Sequence, residues 1–185
     1  MGNDDSKRHR VNVEVRESRI QGLGVFATRD FARDEVIMEI DDSNPVSDRS
    51  ELRPDQANDI DVFVCLNGEE KVIFMKPPER YVNASCDPNS IVRTDMTSGA
   101  RKAIALREIH EGEEITWDYA INSQEEWEIP VPCNCGSPSC RGIIRGNFFT
   151  LPRDVQSRYL SLLDTPFREK YKHEIESLNL AHPDS

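Results

Sequence analysis

The segment RYVNASCDPN, residues 80–89, is the part of the chain around which the rest must fold. It crowds together Asn, Ser, Asp and Pro, whose side chains favour local hydrogen bonds to the backbone over a regular ladder. We therefore expect an ordered loop here, and neither an ordinary helix nor an ordinary strand. Its thiol, Cys86, is far in sequence from Cys133, Cys135 and Cys140. If the four sulfurs meet, the fold must bring this loop and the C-terminal segment together.

Length and composition indicate a soluble globular protein. The chain has 185 residues, 37% hydrophobic and 31% charged, which suits one domain with a short appendage and a buried core. Its apolar runs are strand-sized and residues 1–10 are polar, so neither a membrane span nor a signal peptide is expected. We expect an intracellular protein, cytoplasmic in a prokaryote and nuclear or cytoplasmic in a eukaryote.

The formal net charge is -11. A general nucleic-acid-binding protein needs a basic surface to displace counterions, so direct nucleic-acid binding is not expected. The charge favours a cationic partner. The simpler alternative, that the charge only keeps the protein in solution, stays open because net charge reports on solubility and association.

Several short apolar runs predict strands. Two pairs of runs flank turn sequences, Asn67-Gly68 and Thr97-Ser98-Gly99, and are typical of β-hairpins. The polar stretch 41–61 has no clear periodicity and is interpreted as a variable insert. Many short strands at close spacing indicate a compact, mainly β fold of the α+β class. The predicted strands lie at 11–15, 22–27, 35–40, 62–66, 71–75, 91–93 and 102–106.

The C-terminal tail has a helical pattern. Thr165 is a plausible N-cap, Pro166 suits the first helical position, and apolar residues recur every three or four positions from there. A shorter helix is predicted before it. We expect both helices to pack on the β body through Val155, Tyr159, Leu162, Leu163, Phe167, Tyr171, Ile175 and Leu178.

The spacing C-x-C-x-x-x-x-C at 133–140 predicts a metal site. Zinc favours four tetrahedral thiolates, and clustered cysteines in a reducing compartment more often bind metal than form disulfides. Three cysteines leave one position open, for which Cys86 is the natural ligand. Cys65 is expected inside an apolar strand as a small buried hydrophobe. The alternative is three free thiols in a loop.

Two further features leave alternatives open. Gly22-x-Gly24-x-x-Ala27 resembles a dinucleotide fingerprint, which would suggest an NAD-dependent oxidoreductase, but no βαβ rhythm follows it. Tyr119 is either a core residue or one that presents its hydroxyl to a cavity. Asp118 is either a general base or, as more usual near a turn, a solvated or capping carboxylate.

Four segments resemble, in order, the four signatures of SET-domain protein-lysine methyltransferases with a post-SET zinc segment. Each is modest alone, but four in the right order are specific. The resemblance covers about residues 11–146 and rests on GLGVFA at 22–27, RYVNASCDPN at 80–89, GEEITWDY at 112–119 and CNCGSPSCRGII at 133–144.

The resemblance implies a SET-like fold of small curved sheets around a pseudoknot-like threaded segment. It divides the chain into a disordered N-terminus at 1–10, a SET domain at 11–120, a post-SET zinc segment at 121–146 and a C-terminal helical tail at 147–185. The threaded segment would be residues 80–89.

The implied activity is transfer of a methyl group from S-adenosylmethionine to a lysine side-chain amine of a protein, a basic one such as a histone or ribosomal protein. Tyr119 would be catalytic and Trp117 would line the substrate channel. Zinc ligands would be Cys86, Cys133, Cys135 and Cys140. Cofactor contacts would come from Gly22, Leu23, Gly24, Arg80, Tyr81, Asn83, Ala84, Ile143 and Ile144.

Three positions depart from the family pattern. Ala84 stands where His is usual, Trp117 stands where Tyr or Phe is usual, and 77–79 replace a frequent Gly-Asn pair. The bulky indole suggests a restricted number of methyl groups added. Trp117 and the altered residues before the loop keep open a catalytically weak, zinc-stabilised peptide-binding module. The protein itself is expected to be a monomer or homodimer with no membrane partner.

Overall fold

A computed structural model describes residues 12–46, 60–123 and 131–180. The predicted disordered segment 1–10 and most of the predicted insert lie outside these ranges. Within them no helix has the length and apolar character needed to cross a membrane. The strands are β1 (Val13–Glu17), β2 (Leu23–Ala27), β3 (Val36–Glu39), β4 (Ile60–Val64), β5 (Glu70–Phe74), β6 (Asn83–Ala84), β7 (Ser90–Thr94), β8 (Arg101–Ala105), β9 (Glu114–Trp117), β10 (Val131–Pro132) and β11 (Ile143–Ile144); the helices are α1 (Arg153–Tyr159), α2 (Thr165–Lys170) and α3 (Lys172–Leu180).

The described strands form four small sheets. Their orders are β1-β2-β9-β6, β3-β8-β7, β4-β5 and β10-β11. All pairs are antiparallel except β6 and β9, which run parallel. The predicted hairpins are confirmed as β4-β5 and β7-β8, and both turns contain a glycine with positive φ, Gly68 at 81° and Gly99 at 76°. The mainly β architecture is therefore confirmed.

Segment 80–89 lies along β9 and is only partly a loop. Asn83 and Ala84 form β6, with Asn83 opposite Thr116 and Ala84 opposite Trp117. The buried Asn89 side chain accepts a hydrogen bond from the Thr116 N–H at 2.9 Å. The expectation of no strand was wrong for these two residues, because β9 offers backbone partners that outweigh their local turn preference.

Two apolar clusters form the core. One fills the space between the sheets that contain β2, β3, β8 and β9, and includes Val25, Phe31, Ile37, Ala103, Ala105, Ile109 and Ile115. The other joins the tail to the β body and includes Val64, Ile91, Phe148, Val155, Tyr159, Leu163, Phe167, Tyr171 and Ile175. The prediction that the tail packs on the β body is confirmed.

The tail differs from prediction in its helix boundaries. The periodic stretch from Thr165 forms two helices, because the chain leaves helical geometry at Tyr171 (φ -104°, ψ 31°). There the Tyr171 ring packs on Phe149 and Phe167 while its hydroxyl contacts Glu70. Tertiary packing therefore overrides the helical periodicity while preserving the buried face.

The N-cap of α2 is Asp164 rather than Thr165. Its carboxylate accepts hydrogen bonds from the N–H and the hydroxyl of Thr94, at 3.1 and 2.5 Å. The acidic residue at the start of α2 thus fastens the tail to the end of β7.

Cys65 was predicted inside a strand as a buried hydrophobe, and this was wrong. β4 ends at Val64, and Cys65 opens the turn with its N–H donating to the Glu69 carbonyl at 2.8 Å. Its side chain is half-buried. The hydrogen bonds of the turn fix Cys65 outside the ladder.

The insert predicted at 41–61 is partly ordered at its two described ends. Ile60 and Asp61 belong to β4, and Pro45 forms an isolated bridge with Ile73. The buried Arg101 guanidinium pairs with Asp42 at 2.6 Å and with Asp61 at 2.7 Å. Both ends are therefore fastened to β8, which the polar composition did not indicate.

Candidate active site and metal centre

Tyr119 follows β9 and lies against segment 80–89. Its hydroxyl donates a hydrogen bond to the Val82 carbonyl at 2.8 Å. Burial and, to a smaller extent, the negative charge of Asp61 raise the pKa of Tyr119 to about 12. Tyr119 is therefore a neutral phenol at physiological pH that donates its proton to the Val82 carbonyl, and a phenol oxygen is by its chemistry an acceptor as well as a donor.

Asp118 is neither solvated nor free to act as a base. Its carboxylate is almost fully buried and pairs with the Arg141 guanidinium at 2.6 Å. The other carboxylate oxygen accepts the Ala120 N–H at 3.1 Å. Of the two readings of this residue, capping is the one the geometry fits, because Asp118 fixes the turn that carries Tyr119.

The glycine segment enters β2 beside β9. Gly22 has φ 49°, in the left-handed region that favours glycine. A Cβ on Gly24 would lie 2.3 Å from Glu114 Oε1 and 2.9 Å from Ser18 Cβ. Because Ala27 and its neighbours continue as an antiparallel strand, the dinucleotide fold that this pattern resembles is excluded.

Asn83 connects the glycine segment to β9. Its amide NH₂ donates to the carbonyls of Gln21 and Leu23, at 3.2 and 3.0 Å, and to Glu114 Oε1 at 2.8 Å. The Ser18 hydroxyl contacts both Glu114 oxygens at 2.8 and 2.9 Å. The Asn83 NH₂ faces these three acceptors. The carbonyl oxygen of the same amide therefore points away from them.

Glu114 was not identified from the sequence. It stands in an acidic run with Glu111 and Glu113, so its composition alone indicates a solvated turn. Only the pairing of β2 with β9, in which Phe26 opposes Glu114, places the carboxylate under Gly24. No local signal could have separated Glu114 from its acidic neighbours.

The remaining residues predicted to contact cofactor or substrate lie either near the β6-β9 pair or in the β10-β11 sheet. Ala84 is buried opposite the half-buried Trp117 across β6-β9. The Arg80 guanidinium lies 5.3 Å from the Tyr81 ring centroid and 5.9 Å from that of Phe74. The last two predicted residues lie apart from β6-β9 in the β10-β11 sheet: Ile144 is buried and Ile143 is 38% exposed.

The four predicted metal ligands meet. The Sγ atoms of Cys86, Cys133, Cys135 and Cys140 all lie within 4.8 Å of one another. Those of Cys86 and Cys133 are 3.7 Å apart. A tetrahedral Zn–S₄ centre with bonds of about 2.3 Å requires sulfur separations of about 3.8 Å, so the donor set fits zinc.

Backbone N–H groups around the cysteines favour thiolates, whereas burial opposes them. The Arg141 N–H points to Cys86 Sγ at 3.3 Å and the Gly142 N–H to Cys140 Sγ at 3.4 Å. Burial raises the pKa of Cys133 and of Cys86. Burial acts in the same sense on Cys135, but backbone N–H groups and neighbouring thiols outweigh it and lower its pKa to about 7. The cluster can therefore release a first proton near neutral pH.

Comparison with known proteins places this arrangement in a family. The sequence profile described as the SET domain matches residues 22–120, more than half of the chain. The chain is 32% identical over 139 residues to the histone-lysine N-methyltransferase trr of Drosophila melanogaster, covering 71% of this chain and 6% of that protein. It is 29% identical over 146 residues to an H3 lysine-4-specific histone-lysine N-methyltransferase of Schizosaccharomyces pombe, covering 75% of this chain and 16% of that protein.

Solved structures agree on the fold. The methyltransferase domain of human SETMAR superposes with a TM-score of 0.56 at 17% identity, covering 73% of this chain and 58% of that one. KRYPTONITE in complex with DNA, an H3(1-15) peptide and SAH superposes with a TM-score of 0.55 at 22% identity. The superposition covers 75% of this chain and 30% of the KRYPTONITE chain. Sequence profile, relatives and fold lead to one assignment: this chain belongs to the SET domain family.

Proposed function

We propose that the protein is an S-adenosylmethionine-dependent protein-lysine N-methyltransferase. The observation that carries the proposal is Tyr119, a neutral phenol that β9 and a hydrogen bond to the Val82 carbonyl hold beside segment 80–89. Membership of the SET domain family and relatives named as histone-lysine methyltransferases support it. Since the chain spans a small part of those relatives, their activity is carried over as a proposal.

The glycine segment and segment 80–89 would hold the cofactor, whose sulfonium supplies the methyl group. Gly22 and Gly24 would offer backbone contacts, Gly24 because its missing side chain lets the strand lie against Glu114, and the Asn83 carbonyl oxygen offers an acceptor for an ammonium group. The other proposed contacts are Leu23, Arg80, Tyr81, Ala84, Ile143 and Ile144. Zinc on the four cysteines would hold 133–144 against segment 80–89, because Cys86 belongs to that segment.

The substrate amine must be neutral to attack a methyl carbon. A free lysine has a pKa of about 10.4, so it has to lose a proton, which a desolvated site favours. Tyr119 would accept one N–H of the amine and align its lone pair. With Tyr119 fixed at its hydroxyl and at its turn, most of the rate would come from alignment.

The substrate class is a basic protein segment. The net charge of -11 favours a cationic partner, and relatives are named for histone lysines. Trp117 would line the lysine channel beside Tyr119.

Transfer of labelled methyl from S-adenosylmethionine to a panel of basic proteins tests the proposal. We expect label on lysine, and a loss of roughly a hundredfold or more for Tyr119→Phe at equal zinc content, since alignment dominates. Tyr171→Phe, which removes a hydroxyl in the tail, serves as a matched control. Cofactor binding without transfer to any substrate would favour the peptide-binding module, and absence of cofactor binding would reject the proposal.

A further inference from the structure

The hydroxyl oxygen of Tyr159, in the helical tail, lies between the candidate active site and the metal centre. Tyr159, the last residue of α1, is 5% exposed, yet its hydroxyl faces polar partners. It lies 3.0 Å from Asp118 Oδ2 and 3.3 Å from the Cys86 carbonyl. This tyrosine lies beyond the matched SET segment, which ends at residue 120.

The hydroxyl contacts two parts of the chain that Arg141 also connects. Asp118 precedes Tyr119 and carries its turn, Cys86 supplies one of the four clustered sulfurs, and Arg141 joins them. Arg141 pairs with the same Asp118 oxygen at 2.6 Å through its side chain and donates its backbone N–H to Cys86 Sγ at 3.3 Å. Tyr159 therefore closes a ring of contacts between the turn and the metal centre.

The hydroxyl of Tyr159 is a stable donor. A tyrosine hydroxyl has an ordinary pKa of about 10, so it carries its one hydrogen at neutral pH. A hydrogen bond to a buried carboxylate is stronger than one between neutral groups. Without the hydrogen bond from Tyr159, Arg141 would remain as a partner of Asp118 Oδ2. The turn that precedes Tyr119 would then be held less firmly.

We propose that Tyr159 is a positioning residue, supplied by the helical tail, that fixes both the turn of Tyr119 and the Cys86 end of the metal centre. It acts through Asp118 and the Cys86 carbonyl and does not itself contact the reacting atoms. The part that concerns turnover rests on the proposed methyltransferase function. The part that concerns the metal centre does not.

Tyr159→Phe, compared with Tyr171→Phe, separates positioning from general packing. Both changes remove one hydroxyl from a buried tail tyrosine, but the Tyr171 hydroxyl contacts Glu70 in the β4-β5 hairpin. For zinc-loaded protein held well below both unfolding midpoints, we would measure kcat, KM for the protein substrate, and the rate at which a chromogenic chelator removes zinc.

For Tyr159→Phe we expect kcat to fall roughly tenfold, zinc release to quicken by about the same factor, and KM to change less than about twofold, since one charge-assisted hydrogen bond is lost. Tyr171→Phe should leave all three within about twofold. Equal behaviour of the two variants would overturn the proposal. If wild type shows no turnover, the proposed function fails, while the zinc-release comparison still decides the role of Tyr159 at the metal centre.

If Tyr159→Phe does not fold, Asp118→Asn provides a second variant. It keeps the shape of the side chain and an acceptor for Tyr159 but removes the charge that Arg141 pairs with. We expect zinc release to quicken in this variant as well. An unchanged release rate would contradict the ring of contacts.

Discussion

The hydroxyl of Tyr119 is hydrogen-bonded to the carbonyl oxygen of Val82 at 2.8 Å, across 37 positions of sequence. This bond joins the end of β9 to segment 80–89 immediately before β6. It also sets the chemistry of the phenol, because the proton is committed to a backbone acceptor. Tyr119 can therefore orient a neighbouring group through its oxygen, whereas it cannot serve as a tyrosinate base near neutral pH.

Alkaline pH should destabilise the protein through three tyrosines whose hydroxyl groups are shielded from solvent. The pKa of Tyr119 is raised to about 12 from an ordinary value of 10, and those of Tyr159 and Tyr171 are also raised. Folded protein then holds these protons more tightly than unfolded protein does. Their stabilising effect is complete below pH 10 and is lost as the pH rises towards 12 and above.

We expect the denaturant midpoint to fall steadily between pH 10 and 12, together with rising tyrosinate absorbance. In Tyr119→Phe this fall should be smaller, because one of the three raised groups is gone. A midpoint that does not depend on pH in this range, or one equally dependent in the variant, would contradict the assigned burial. Zinc-loaded protein should be used throughout, so that thiol ionisation does not contribute.

Metal removal should weaken the contact between segment 80–89 and the C-terminal part. Cys86 comes from that segment and the other three sulfurs from 133–140, so an ion on all four closes a long loop. We expect about one zinc per chain and a fall of several degrees in the unfolding midpoint after chelation, as metal binding is coupled to folding.

Cys86→Ser tests the ligand set. It should lower zinc content well below that of wild type and reproduce the effect of chelation. Cys65→Ser is the matched control, since Cys65 is a half-buried thiol outside the cluster. Equal zinc loss in both variants, or full retention in Cys86→Ser, would reject the proposed fourth ligand.

The sequence predicted those features that depend on local pattern or on a shared donor chemistry. The hairpin β4-β5 follows from two apolar runs around Asn67-Gly68, and the meeting of Cys86 with the other cysteines follows from the tetrahedral preference of zinc. The partners of Asp118 could not be predicted from the sequence, because tertiary packing alone brings Arg141 and Tyr159 to it.

Other failures have the same physical origin. The division of the tail at Tyr171 results from ring packing that no period of three or four residues encodes. The strand pairing of Asn83 and Ala84 arises because β9 supplies partners for a segment whose own composition favours turns. The sequence does not distinguish Glu114 from the acidic residues around it. The pairing of β2 with β9 does, because it places the Glu114 carboxylate against Gly24.

Gly24→Ala should impair cofactor binding without unfolding the protein. The added Cβ would lie 2.3 Å from Glu114 Oε1, so the Glu114 carboxylate must move. This movement breaks the hydrogen bond of 2.8 Å that Glu114 accepts from the Asn83 NH₂. Overpacking of this kind costs about 1 to 3 kcal/mol, so we expect affinity for S-adenosylhomocysteine to fall roughly tenfold or more.

Calorimetric titration measures this change, and 5′-methylthioadenosine provides a comparison ligand because it lacks the amino-acid portion that Asn83 is proposed to hold. Its affinity should fall less than that of S-adenosylhomocysteine. Equal losses for the two ligands would show that the added methyl group distorts the whole site rather than the Asn83 acceptor. Unchanged affinity for both would remove Gly24 from the binding site.

Trp117→Phe tests whether the indole limits the number of methyl groups added. Trp117 is half-buried at the end of β9, opposite Ala84 and two residues before Tyr119. If its ring lines the lysine channel, the smaller phenyl ring leaves room for a methylated amine to rotate and react again. We expect mass spectra of the product, taken at equal total transfer, to shift from lower to higher methylation states in the variant. An unchanged distribution would mean that the bulk of residue 117 does not limit the channel, and a proportional loss of all products would indicate a packing defect in which β9 no longer holds Tyr119 in place.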